Sequence, residues 1–158
     1  MKRNIILTLL LLALTSACAP AASSTPDMEN EQWIIFSADQ AEDLDVAAGF
    51  GFPAEYWTPS EAEVRALENG LIAFLQDKSA QFNSQRAPIW ERLTEYNRQY
   101  AGLIMEGRTF IYANFFCDSM TDWKKDFVFV MDGGDCFFQF KYDPATGEFF
   151  DLQVNGEA

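Results

Sequence analysis

The sequence predicts an α+β domain in which one long N-terminal helix packs on a four- to five-stranded antiparallel meander. Three observations predict it. Between Thr58 and Phe82 apolar residues recur at three- and four-residue steps. From Arg98 onward the apolar stretches "RQYAGLIME", "RTFIYANFF", "DFVFVMD", "DCFFQFKYD" and "EFFDLQV" read instead as strands. Turn-forming stretches, Glu106-Gly107, Gly133-Gly134 and Pro144 to Gly147, punctuate this second region.

Taken in order, "WIIFS" (33–37) predicts a short strand. Residues 38–57 read as irregular, with Gly49, Gly51 and Pro53 as breakers. Asp39, Glu42, Asp43 and Asp45 cluster there, but their spacing matches no calcium loop and reads as a solvated acidic face. "TPSE" (58–61) predicts a helix start, with Thr58 as cap, Pro59 at the first helical position and Glu61 completing a capping box. Val64, Leu67, Leu71, Phe74, Leu75 and Phe82 then share one face of a helix over 59–82. "NSQRAP" ends it, and "PIWERLTEY" predicts a second short helical turn led by Pro88.

The remainder reads as strands. "RQYAGLIME" and "RTFIYANFF" flank Glu106-Gly107, a two-residue hairpin turn. "DFVFVMD" and "DCFFQFKYD" flank Gly133-Gly134, where a type I′ turn asks for positive φ at both central residues. That register puts Phe127, Phe129, Met131, Phe138 and Phe140 on one face, toward the helix. It also makes "DGGD" a turn and not a metal loop, which needs more ligands than the segment offers. In the last hairpin, Tyr142 opposite Phe150 sets Phe140 against Leu152, Phe138 against Val154 and Lys141 against Asp151, with Gly147 left-handed in the turn.

The chain start carries a different signal. Lys2 and Arg3 precede the apolar run Ile5 to Leu14, which is too short to span a bilayer, and small residues lead to Cys18. The "LTSAC" stretch (14–18) resembles the lipobox of bacterial lipoproteins, with Thr15 where that family prefers an aliphatic residue. The resemblance implies a signal peptide at 1–17 and a diacylglycerol on the Cys18 thiol, with acyl chains such as palmitate. The protein would then be exported and anchored on the extracytoplasmic face of a membrane. "APAASSTPDMENEQ" (19–32) is nearly free of large apolar side chains and reads, with Cys18, as a lipidated tether. Residues 33–158 are left as one domain.

Composition narrows the chemistry. The net charge is −13, and removing Lys2 and Arg3 with the signal takes it to −15. Such a surface repels nucleic acid and favours solubility, or a cationic partner. The sequence has no histidine, which excludes the usual Ser-His-Asp and Cys-His catalysis and most zinc centres. No cofactor is implied. With Cys18 lipidated, Cys117 and Cys136 remain as an even pair in an oxidising compartment, which favours a disulfide. A strict meander argues against it, since it sets the two cysteines at opposite edges of the sheet.

The helix-on-sheet arrangement looks like the cystatin-like folds, and "YDPATGEF" resembles the hairpins of small exported PepSY-type domains. The series "NFFC" (114–117), Trp123, "DGGDC" (132–136) and "VNGEA" (154–158) resembles a group of small exported bacterial proteins to which no activity is attached. The expected function is a membrane-tethered binding or interaction module for an unknown protein or small ligand. Its surface would be Trp123 in the loop 118–126, with Val128, Val130 and Phe137 forming an apolar patch unless residues 33–57 cover it. The alternative reading folds Trp123 back on the core as a lid. The alternatives are a cystatin-like protease inhibitor, on a weak likeness of "LQVNG" (152–156), and a histidine-independent enzyme using Tyr96, Tyr100, Tyr112, Asp118 or Asp122.

Overall fold

The structure is a computed structural model, and it describes residues 32–50, 54–82 and 86–156. The stretch read as a signal peptide (1–17), Cys18 and nearly all of the expected tether lie outside the described residues.

The fold is mixed α+β with a six-stranded sheet. Strand β1 (Trp33–Ile35) runs parallel to β3 (Asn97–Met105), and β2 (Glu55–Trp57) runs antiparallel along the same edge of β3. The sheet is therefore mixed and not a pure meander. The reason lies between β1 and β2. Helix α1 (Ala38–Asp43) starts in a capping box of Ser37 and Gln40, and the chain returns along β3 in the opposite direction. The expected irregular stretch thus holds a helix and a second edge strand.

Helix α2 (Glu61–Asp77) follows these elements, so it is shorter than expected and not N-terminal in the domain. Its buried face is the expected one, Val64, Leu67, Leu71, Phe74 and Leu75, but without Phe82, which lies past the end of the helix. Its cap is not Thr58. Ser60 caps the helix and Glu63 closes the box, its carboxylate accepting the Ser60 N–H at 2.8 Å. The sequence holds two overlapping S/T-x-x-E frames, and a tertiary bond decides between them. The Thr58 hydroxyl accepts the Ala38 N–H at 2.8 Å, pinning the start of α1 to the end of β2.

Strand β4 (Arg108–Phe116) pairs with β3 across Glu106-Gly107, whose φ values of 50° and 77° are those of a type I′ turn. The next strand in the sheet is β5 (Phe137–Asp143), which pairs directly with β4. The expected strand "DFVFVMD" does not form, and "DGGD" is not a hairpin turn. Gly133 and Gly134 do take positive φ, 89° and 58°, but they lead into a 3₁₀ turn, Gly134–Cys136. Because no strand intervenes, the Phe116–Phe137 pair brings the cysteines together. The Cys117 N–H donates to the Cys136 carbonyl at 2.9 Å, and the Cys117–Cys136 disulfide closes with a Cα–Cα distance of 5.0 Å. The geometric objection belonged to a strand that is absent.

Strand β6 (Glu148–Val154) closes the sheet. Phe138 opposes Val154 as expected, but Tyr142 opposes Phe149 and Lys141 opposes Phe150. An irregularity between Gln139 and Lys141, with Asp151 at φ 50°, absorbs the one-residue difference. The Lys141–Asp151 ion pair survives it at 3.0 Å, and Gly147 is left-handed at φ 74°.

Both sheet faces are covered. Helix α2 packs on Tyr100, Ile111, Ala113, Phe115, Phe138 and Phe140. On the other face, Phe36, Ala41, Val46 and Ala47 cover Ala101, Leu103, Phe110 and Tyr112. The rest of that face, Phe116 and Phe137, is covered by Val128 and its neighbours from the loop 118–132.

Candidate functional site

The loop 118–132 lies on the sheet and not in it, and carboxamide side chains hold it there. Gln99 and Asn114 are cross-strand partners on β3 and β4, and both are buried. Gln99 Nε2 donates to the carbonyls of Trp123 at 2.5 Å and Asp126 at 2.8 Å, and its Oε1 accepts the Val128 N–H at 3.0 Å. Asn114 Nδ2 donates to Gln99 Oε1 at 3.1 Å and to the Val128 carbonyl at 2.8 Å. At the far end, Asn155 Nδ2 donates to the carbonyls of Val130 and Asp132 at 2.6 and 3.0 Å. Buried backbone groups need partners, and these amides supply what a strand ladder otherwise would. The same bonds tie the "VNG" end of the chain to the loop, so 152–156 is a strand end and not a free hairpin.

A second anchor explains "DGGD". Asp135 Oδ2 accepts from Arg92 Nη2 at 2.9 Å, and the Asp135 carbonyl accepts from the Tyr96 hydroxyl at 2.8 Å. Arg92 is itself buried, and it also donates from Nε to the Ala87 carbonyl at 2.7 Å. Asp135 is the counter-ion of a buried arginine, which fixes the 3₁₀ turn beside the disulfide.

Held in this way, the loop shows a different surface from the expected one. Val128 and Phe137 are buried against Phe116, and Val130 is half-buried. Trp123 is also half-buried, its ring edge-on to Phe116 at 5.7 Å, so it takes the lid position. The exposed apolar residues are instead Phe129, 66% exposed, and Met131, 82% exposed, both expected on the core side. Since the segment 126–132 is not a strand of the sheet, the register that placed them inward does not apply.

Phe129 stands on the wall of a cleft of about 490 Å³. One wall is Leu44, Val46 and Ala48, from the turn after α1, and the other is Asp126, Phe127 and Phe129, with Asp45 also lining it. Asp45 is left-handed at φ 48°, a conformation in which aspartate is better tolerated than most residues. The cleft is apolar with carboxylates, and its size is that of small-molecule and side-chain pockets. The sequence signals that would have found it are Gln99 and Asn114, polar residues at inward positions of otherwise apolar strands. Such a residue announces a buried backbone segment laid across it.

The tyrosines considered as acid–base groups are core residues. Burial pushes the Tyr96 phenol up to about 12, raises Tyr112 further, and together with the neighbouring Glu68 charge holds Tyr100 well above its ordinary value. The Asp118 carboxylate accepts the Ser119 N–H at 2.7 Å, and Asp122 pairs with Lys125 at 3.3 Å. Among the described residues no three His, Cys, Asp or Glu side chains form a group able to hold a metal ion, and no helix is long and apolar enough to cross a membrane. No protein-family model matches the chain, and neither a curated protein nor a solved structure is significantly similar to it.

Proposed function

We propose that the protein is a membrane-tethered, extracytoplasmic binding module that takes an apolar partner in the cleft between residues 44–48 and 126–129. The observation that carries this reading is Phe129. It is a large apolar side chain, two-thirds exposed at 66%, on the wall of an apolar cleft, in a loop fixed by buried amides. An exposed aromatic on a loop that is held rigidly at its base is the usual form of a recognition residue. The lipobox-like stretch ending at Cys18 and the acidic tether after it support the placement at a membrane surface.

Two measurements test the reading. The neutral dye Nile red should brighten with the native protein, and Phe129→Ser should remove most of the signal. An equal signal from the variant places the dye elsewhere and ends the cleft assignment. In detergent phase partition the native protein should enter the detergent phase and Cys18→Ala the aqueous phase. A native protein already in the aqueous phase ends the anchor assignment.

A further inference from the structure

We infer that the cleft selects an extended peptide segment carrying basic residues among apolar ones, with Asp45 and Asp126 recognising the charge. The inference rests on the cleft being the binding site and adds the chemistry of the partner. Among the described residues neither the Asp45 nor the Asp126 carboxylate has an ion-pair or side-chain hydrogen-bond partner, although both residues line the cleft. Among the described residues no lysine or arginine is paired with either of them. Every described lysine and arginine except Lys124 is paired with another carboxylate, and Lys124 lies over the Trp123 ring. Two unneutralised carboxylates beside apolar walls attract a cation more strongly than they would in open water, and a net charge of −13 steers one toward them. The Phe127 and Phe129 rings add faces on which a cation can rest.

The backbone points to a peptide. Burial alternates along 127–131, with Val128 and Val130 inward and Phe129 and Met131 outward. Val128 N–H and the Val128 and Val130 carbonyls are bonded to the side-chain amides, whereas the backbone groups of Phe127, Phe129 and Met131 make no hydrogen bond among the described residues. An open row of backbone donors and acceptors beside apolar and charged pockets is what strand addition uses. Anionic lipid headgroups would meet the same carboxylates and be repelled.

The test uses the full mature chain and a labelled, acetylated peptide that alternates leucine and lysine, with serine and glutamate versions in place of lysine. The lysine peptide should bind, more weakly as salt rises, and the glutamate peptide should not. Asp45→Asn with Asp126→Asn should weaken binding of the lysine peptide roughly three- to tenfold, two exposed charge pairs' worth. Asp39→Asn with Asp43→Asn, outside the cleft, should leave it unchanged. Equal weakening by the second pair would show general attraction to an acidic surface and overturn the assignment. A serine peptide that binds as tightly as the lysine one overturns the charge selection while leaving the cleft as a binding site. Failure of every peptide where Nile red still binds overturns the peptide, and zwitterionic vesicles captured through Phe129 and Met131 would give the surface to lipid instead.

Discussion

Asp135 shows how much one side chain can settle. Its carboxylate neutralises Arg92, whose side chain is 6% exposed, and its carbonyl receives the Tyr96 hydroxyl. Removing one member of a buried ion pair leaves an uncompensated charge. Asp135→Ala should therefore cost about 3 kcal/mol, seen as a lower denaturant midpoint. A change near zero would mean that Glu95, also bonded to Arg92 at 3.2 Å, suffices as partner. Tyr96 gives a pH prediction. Burial raises its phenol to about 12 from 10.0, so the unfolded chain ionises first as pH rises. Its contribution to stability is whole below about pH 10 and is lost as pH climbs toward 12, with Tyr100 and Tyr112 shifted the same way. Tyrosinate absorbance should thus appear together with unfolding, and a plateau of three freely titrating phenols in a folded protein would contradict it. At the helix start, Ser60→Ala should cost about 1 kcal/mol and speed hydrogen exchange at the Glu63 amide. Thr58→Ala should leave that amide protected, because Thr58 bonds Ala38 and not the helix.

Elements were legible from the sequence where one local period or one turn determined them. The buried stripe of α2 and the Glu106-Gly107 hairpin need nothing beyond their own residues, and the Phe138–Val154 pair follows from matching apolar positions. The segment 126–132 was not legible for the opposite reason. "FVFVM" has the composition of a strand, and what keeps it out of the sheet is remote in sequence: Gln99, Asn114, Asn155 and the disulfide. Likewise α1 and the parallel β1 depend on which edge of β3 stands open, which no local pattern states. The cleft was illegible because it lies between two such segments. The disulfide holds the ends of the loop together over a sequence separation of 19. Its loss in Cys117→Ser with Cys136→Ser should cost about 3 kcal/mol in the chain-entropy description, with the β3–β4 hairpin still protected from hydrogen exchange. At Gly102 a Cβ would lie 2.4 Å from the Trp57 carbonyl oxygen. Gly102→Ala should therefore push β2 off the sheet edge, expose Trp57 and redshift its emission; unchanged emission would show that β2 can shift without leaving.

The whole molecule combines a sheet covered on both faces with a strongly acidic surface. Its outermost full-length strand, β6, carries two acidic residues, Glu148 and Asp151, the second of them left-handed at the irregularity, features that discourage edge-to-edge pairing with another copy. Self-repulsion at −13 should weaken the fold at low ionic strength. Raising salt from about 0.01 M to about 0.15 M shortens the screening length from roughly 30 Å to 8 Å and should raise the melting temperature. A fall would mean that the surface ion pairs outweigh the repulsion. The loop laid over the sheet has a further consequence, for change over time. Its ends are tied by two half-cystines and its backbone by three carboxamides, so the outward residues Phe129 and Met131 bear little of the fold's stability. Substitutions there can change the surface that the loop presents while the sheet beneath stays the same. A lineage of such proteins can diverge in the face it shows to solvent by altering only those outward positions, with the amides and the cysteines kept as a frame.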